Sequence, residues 1–447
     1  MGTSPPGSPT EIEAGTIRKV RSRIIPFIMV LMVIASLDRM NIGFAALTMN
    51  QELAISSQQY GFLAGIFFLG YFTFEIPSNL LLHRIGARVW LARILVSWGI
   101  VAMLTGFAKN ASQVYVLRFL LGVAEAGYFP GIVLYLTYWL PQRQLARNVA
   151  LFLTANPVAN ILGAPISGVI LDHAHWFGVS SWRWLLILEG VPAIVGGVLT
   201  YFLLPGKPAE ARFLTAQEKE WIATERAREE RLKIATHPIG AVRALAYGRV
   251  WYLTVIYFMA MISWQGMSLW LPQLMKDSSG RSSNTTVGIL VMIPYLVALV
   301  AMILVAHRSD RTLERRYHTA VPLIIGAISL ALLATRGTGS VLVSVVLWSL
   351  AVSGACCLWG PFWSLPNEFL AGYSAAAGIA LINSIGNLGG FVSSYAIGTI
   401  SKRTGNFHGG LVFLGISFFT TAMLMLALRK GTGHEAVSFA EKAHLFP

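Results

Sequence analysis

Five ionisable side chains, Asp38, Arg39, Glu75, Arg118 and Glu125, interrupt apolar runs in this 447-residue chain. A charge at bilayer depth costs about 3 kcal/mol on insertion scales, so residues of this kind are functional candidates by default. Two arginines facing one cavity make a positive site that a carboxylate occupies in a forked geometry, so Arg39 and Arg118 point to an organic anion as guest. A carboxylate beside an arginine stays ionised, whereas one deprived of counter-charge takes up a proton. Asp38 and Glu125 can therefore gain or lose protons as access and occupancy change, which is the minimum machinery for proton coupling. The competing reading is a static brace in which Asp38 pairs with Arg118, or Glu125 with Arg39. Arg118 and Glu125 are seven residues apart, about two turns and ~10 Å along one helix face. Asp38 lies about 21 Å into its helix, beyond the bilayer midplane.

Polar residues at helical spacing extend the candidate site. Asn156 with Asn160 and Asn383 with Asn387 are each four apart on one face, in equivalent helices of two halves. Tyr71, Gln265, Trp359 and Trp363 can add hydroxyl, amide and stacking contacts; Tyr71 ranks first because its helix 2 must face helix 11. Glu75 precedes Ile76-Pro77-Ser78-Asn79 near one helix end and suits a gate or loop brace as well as a substrate contact.

The elements that must hold these residues follow from composition. Hydrophobic residues make up 55% of the chain and charged residues 12%, against roughly 25% charged in a soluble domain. A net charge of +14 is not gathered into a soluble module with exposed aromatics, so nucleic acid is excluded as partner. Apolar runs of spanning length fall near 24–49, 60–82, 89–108, 112–140, 147–170, 184–204, 249–275, 285–307, 319–335, 340–369, 375–399 and 409–429. They are too long and uniform for barrel strands. The expected fold is an all-α membrane protein of twelve transmembrane helices in two pseudo-symmetric six-helix bundles.

Lys and Arg concentrate in alternate loops and in the tails, which places both termini in the cytoplasm. The expected divisions are a disordered cytoplasmic tail over 1–23, a bundle over 24–204, a charged helical linker over 205–248, a second bundle over 249–429 and a tail over 430–447. Matching basic turns follow helices 2 and 8, with Arg84 and Arg88 in the first and Asp310 and Arg311 in the second. Glycine-rich patches at 122–127, 163–168 and 386–390 have no preceding strand, so they read as close-approach surfaces between helices and not as phosphate loops. The adjacent Cys356 and Cys357 sit in an apolar run and suit buried packing. No His-Glu-x-x-His, nucleophile elbow or paired-cysteine site is present, so an enzyme is not expected.

Several segments together resemble the anion:cation symporter family of the major facilitator superfamily, which includes bacterial galactonate, tartrate and phthalate permeases and the animal vesicular glutamate transporters. They are Leu37-Asp38-Arg39-Met40-Asn41, Arg118-Phe119-Leu120-Leu121-Gly122 through Glu125-Ala126-Gly127, and Trp182-Arg183-Trp184 through Glu189-Gly190. Phe213-Leu214-Thr215, Trp270-Leu271-Pro272 and Gly378 through Gly390 extend the match. The resemblance implies that Arg39 and Arg118 contact substrate carboxylate or gate it, that Asp38 and Glu125 carry protons, and that Tyr71, Asn156, Asn387 and Asn383 contact substrate. The expected gating residues are Glu75, Arg84, Arg88, Asp310 and Arg311. His83 departs from the superfamily's acidic residue after helix 2, while Asp310 keeps it in the second half.

The implied function is proton-coupled uptake of an organic carboxylate by alternating access in a bacterial inner membrane. Protons are the coupling ion, no cofactor or metal is needed, and the carrier is a monomer. An aromatic dicarboxylate, tartrate and a sugar acid stay open as cargo. A proton-linked exporter or exchanger of organic ions or drugs is the alternative.

Overall fold

Three helix breaks in this chain fall just before a proline, whereas Pro77, Pro165, Pro192, Pro272, Pro294 and Pro322 lie inside continuous helices. The computed structural model describes residues 9–236, 247–280, 282–312, 314–336, 340–366 and 372–428, and among them every regular element is helical. The first half comprises α1 (Pro9–Arg23), α2 (Ile25–Glu52), α3 (Ser57–Ile85), α4 (Ala87–Thr105), α5 (Ala111–Glu125), α6 (Tyr128–Thr137), α7 (Gln142–Leu153), α8 (Ala155–His173) and α9 (Ser181–Leu203). After the linker helix α10 (Ala216–Thr236) come α11 (Gly248–Ser278), α12 (Asn284–Thr312), α13 (Arg316–Arg336), α14 (Val341–Cys356), α15 (Trp359–Ser364), α16 (Gly372–Thr404) and α17 (His408–Ala427).

Three expected spans are each divided in two. Pro130, Pro157 and Pro361 stand four residues after Ala126, Leu153 and Cys357, and a proline ring clashes with the carbonyl four residues back and lacks the N–H that would bond to it. The consequence matters most at 112–140. Here α5 stops at Glu125, Gly127 turns to φ +83°, and the freed Ala126 carbonyl accepts the Ser78 hydroxyl at 2.6 Å. Ser78 Oγ in turn accepts Trp90 Nε1 at 3.0 Å. Only glycine adopts this left-handed turn without strain, and a Cβ on Gly127 would sit 2.5 Å from Ser78 Oγ.

Among the described residues, eleven helical segments are long and apolar enough to cross a membrane. Beside them α16 carries Asn383, Ser384, Asn387, Ser393 and Ser394, all of which are buried against protein. The two halves meet where α3 packs on α16, α8 on α12 and α2 on α11. Small residues bring these backbones together: Gly61 abuts the Ser394 carbonyl, Gly168 the Asn284 carbonyl and Gly288 the Ala164 carbonyl. All three approaches lie at the end of the bundle away from the chain's N-terminal helix.

Residues 9–23 correct one expectation. In place of a disordered tail they form α1, whose Lys19 reaches Glu218 of α10 at 2.8 Å and whose Arg21 donates to Gln144 at 2.9 Å and Asn148 at 3.2 Å. Glu218 is available for this because Thr215 and Glu218 form a reciprocal cap at the start of α10, with bonds of 2.8 and 3.3 Å. The tail over 430–447 and linker residues 237–246 lie outside the described residues.

Candidate functional site

The apolar face of α3 places Phe67, Tyr71 and Glu75 four residues apart on one stripe, and this stripe organises the site. Phe67 is held between two cations: the Arg39 guanidinium lies 5.5 Å from its ring and that of Arg118 lies 5.2 Å from it. Arg39 is also 5.7 Å from the Tyr71 ring. Gly122 of α5 packs on the Phe67 carbonyl, which sets the depth at which α5 presents Arg118 and Glu125 to this stripe.

The two arginines differ in their partners. Arg39 forms an ion pair and hydrogen bond with Glu125. Its side chain keeps 23% of its surface accessible, against 2% for Glu125. Arg118 is 1% exposed, has no carboxylate within 4.0 Å among the described residues, and leaves its Nε without a hydrogen bond. Asp38 and Glu125 are its charged neighbours. Asp38, the residue before Arg39 on α2, is buried and accepts Asn41 Nδ2 at 2.9 Å. The expected brace therefore forms for Glu125 with Arg39 and does not form for Asp38 with Arg118.

The second half closes over this cluster from α11 and α16. Glu75 accepts Asn383 Nδ2 at 2.7 Å and Ser384 Oγ at 2.6 Å, which joins the two bundles directly. Asn383 Oδ1 accepts the Tyr257 hydroxyl at 3.3 Å. Gly386 makes room for the Tyr257 ring, since a Cβ there would overlap it. Trp359, Trp363 and Phe362 surround Tyr257 at ring separations of 5.8, 5.0 and 5.4 Å. Asn387 is buried on the same helix without a hydrogen bond to any described residue. Asn156 lies to the other side of α2, where its Oδ1 accepts Ser36 Oγ at 2.6 Å.

At the far end the bundles are fastened by Asp172. Its Oδ1 accepts the backbone N–H of Asn284 at 3.1 Å and its Nδ2 at 2.8 Å, while Oδ2 accepts the N–H and hydroxyl of Thr285, both at 2.7 Å. A carboxylate of one bundle thus caps the N-terminus of a helix in the other.

The structure gathers Asp38, Arg39, Tyr71, Arg118 and Glu125 around Phe67, and sets Glu75, Asn383 and Asn387 beside them. Among the described residues no contact joins the basic loops across the halves. Arg88 lies 3.9 Å from Glu210 and 5.8 Å from the Tyr201 ring, Asp310 pairs with Arg315 at 2.5 Å, and Arg84 and Arg311 are exposed. Sequence reasoning missed Phe67, Tyr257 and Asp172, and gave no role to Glu189, which it met only within the Trp182 to Gly190 segment although it is a carboxylate eight residues into an apolar helix.

Two helical bundles packed around buried charges define a multi-pass membrane transporter. The sequence pattern described as the Major Facilitator Superfamily matches residues 28–394, and the chain belongs to that superfamily. It is a transporter and not an enzyme. A putative tartrate transporter of Agrobacterium vitis is 44% identical over 423 residues, covering 94% of this chain and 93% of that protein. A quinolone resistance transporter of Acinetobacter baumannii is 36% identical over 408 residues, covering 91% and 93%. In fold, the chain superposes on the partially occluded inward-open xylose transporter XylE of Escherichia coli with a TM-score of 0.72 at 16% identity, covering 92% of this chain and 98% of that one.

Proposed function

We propose that this protein is a proton-coupled symporter that takes up an organic dicarboxylate of the tartrate type by alternating access. The observation that carries the reading is charge balance at the centre. Asp38, Arg39, Arg118 and Glu125 sum to zero when all are ionised, Glu75 beside them takes hydrogen bonds from Asn383 and Ser384, and of the two arginines Arg118 has no carboxylate within 4.0 Å among the described residues. An anion entering beside Arg118 adds negative charge next to the buried Asp38 and Glu125. In low dielectric that excess is costly, and a proton on Glu125 or Asp38 restores neutrality. Protonating Glu125 also frees Arg39, which then offers the anion a second fork. Anion and proton thus favour each other's binding, which is the thermodynamic core of symport.

Tyr71, Asn387, Asn383 and Asn156 are suited to hydroxyl groups of the cargo. The Asp172 clasp and the Glu75–Asn383 contact serve as gates that the rocking bundles make and break in turn. Arg84, Arg88, Asp310 and Arg311 act with them at the cytoplasmic loops, each within its own half. The carrier works as a monomer in a bacterial inner membrane, with both termini in the cytoplasm and no cofactor besides the proton. The relative named for tartrate supports the cargo class.

The test is purified protein in liposomes with a trapped pH dye, challenged externally with tartrate, aromatic diacids, sugar acids and a neutral sugar. Internal acidification with tartrate and none with the sugar is expected. Labelled tartrate entering without acidification refutes coupling. The relative named for quinolone resistance favours a second reading, export; proton efflux driven by a quinolone, with silence toward every carboxylate, establishes that reading instead.

A further inference from the structure

Where α8 turns into α9, at the end of the first bundle away from α1, stands the most exposed large apolar side chain of the described residues, Phe177, at 92%. Its backbone is left-handed, at φ +57°, and Gly178 follows at φ +71°. Phenylalanine is strained in that region, and a ring left in water gains nothing in return. The turn is nevertheless built. Trp184 of α9 donates its indole N–H to the Trp176 carbonyl at 3.1 Å, and its ring lies 5.2 Å from that of Trp176 and 6.2 Å from that of Phe177. A second turn reaches the same rim. Phe107, 63% exposed, stands between Gly106 and Ala108, whose carbonyls accept Arg183 Nη1 at 3.0 and 2.6 Å. Arg183 is itself fixed by Glu52 at 3.0 Å. Two neighbouring residues of α9, Arg183 and Trp184, thus gather three exposed rings, Phe107, Trp176 and Phe177.

The stripe of α9 that runs from this rim identifies what covers it. Phe202 follows Trp184 by eighteen positions, which is five turns, so the two lie on one helix face about 27 Å apart. Leu188, Val191, Val195 and Val198 fill that face at spacings of three and four, with no charge among them, and the three valines and Phe202 are exposed. The hydrocarbon core of a bilayer is about 30 Å thick, and aromatic rings collect where its chains meet the headgroups. An apolar stripe of that length with rings at both ends has the dimensions of lipid. At its other end Tyr201 and Phe202 pack edge to face at 5.2 Å. On α8, exposed Leu162, Ile166 and Val169 lead up to the same rim.

We infer that Phe107, Trp176 and Phe177 form a bilayer anchor: their rings lie in the headgroup interface of the far leaflet, set the depth of α9, and hold against lipid the end of α8 that carries Asp172. The left-handed turn serves this by aiming Phe177 outward. Lipid is the occupant because the surface that continues from the rim is a membrane-facing stripe of bilayer length. The inference goes beyond the transport reading and depends neither on the cargo nor on proton coupling.

The experiment places one environment-sensitive fluorophore, nitrobenzoxadiazole, on the full-length protein at Phe107→Cys, Trp176→Cys or Phe177→Cys, each in vesicles of phosphatidylethanolamine and phosphatidylglycerol. Native Cys356 and Cys357 are buried, and the unsubstituted chain gives the labelling background. Quenching is compared between lipids with a nitroxide at the headgroup, lipids with a nitroxide deep in the acyl chain, and iodide in the water. Arg403→Cys, at an exposed position where α16 ends beside the start of α3, is the control in water. The headgroup nitroxide is expected to quench the three rim positions several-fold more than the deep one, and iodide to quench them several-fold less than the control. Iodide quenching equal to that of Arg403→Cys overturns the inference, because the rings then stand in water. Protection from all three quenchers overturns it as well, because protein then covers the rim. Phe107 and Phe177 sit on separate turns, so if one variant fails to fold the other still decides.

Discussion

Asp172 Oδ2 receives both the backbone N–H and the hydroxyl of Thr285 at 2.7 Å, so one carboxylate of the first bundle closes the start of a helix in the second. Hydrogen bonds to a charged group contribute about 1.5–3 kcal/mol. Asp172→Ala should therefore shift the population toward opening at this end by roughly ten-fold or more. A cysteine placed at Asn387 reports on it, because native Cys356 and Cys357 are both buried. Labelling of that cysteine by an impermeant maleimide added from the far side is expected to rise several-fold in the Asp172→Ala background, and unchanged labelling would refute the clasp.

Arg118 is the unpaired guanidinium of the site, and lysine in its place keeps the charge but loses the fork. Arg118→Lys is expected to raise KM for the anion by about ten-fold or more, equivalent to ~1.4 kcal/mol. Steady-state uptake at saturating proton gradient measures it.

Glu125→Gln removes the titrating partner of Arg39 while keeping its shape. Accumulation of cargo against its gradient should be lost, and exchange of labelled for unlabelled cargo across the membrane should persist. Concentrative uptake by this variant under a proton gradient would show that Glu125 carries no proton.

Gly127 and Gly86 both have positive φ, but only Gly127 has Ser78 where a Cβ would go. Alanine in the left-handed conformation of Gly127 costs about 1–2 kcal/mol. Gly127→Ala should lower Tm by more than that strain alone, because it also displaces the Ser78–Ala126 bond that fixes the end of α5, and thermal unfolding beside Ser78→Ala measures the difference.

The Lys19–Glu218 contact predicts an acid-sensitive junction between α1 and α10. Partial burial pushes the Glu218 carboxyl up, but the Lys19 hydrogen bond, the Thr215 bonds and the Lys19 charge outweigh it and hold the group below its ordinary value. A depressed carboxyl contributes its full stabilisation above the unfolded value of about 4.3 and loses it as pH falls through the folded one. Hydrogen exchange in α1 should thus stay slow from neutral pH down to about 4 and accelerate below it. Glu218→Gln should speed exchange at neutral pH and flatten the acid response.

By itself the sequence determined the class. Runs of apolar residues at bilayer length, basic turns at alternate ends and five charges inside those runs dictate a two-bundle carrier, because hydropathy and charge cost act locally and leave their mark residue by residue. The same local rules placed Asp38, Arg39, Arg118 and Glu125, and the spacing of Asn383 and Asn387 on one face. Tertiary structure decided what no periodicity contains: which arginine is paired. Arg39 meets Glu125 because Pro130 and Gly127 end α5 at that carboxylate, while Arg118, seven residues earlier, is left against Phe67 without a partner. It also joined Glu75 to Asn383 across more than three hundred positions, since such pairings depend on how two bundles rest against each other. Glu189 was legible as an acid in an apolar helix and as part of the Trp182 to Gly190 segment, and the packing of α8 against α9 decided that Ser167 is its hydrogen-bond donor.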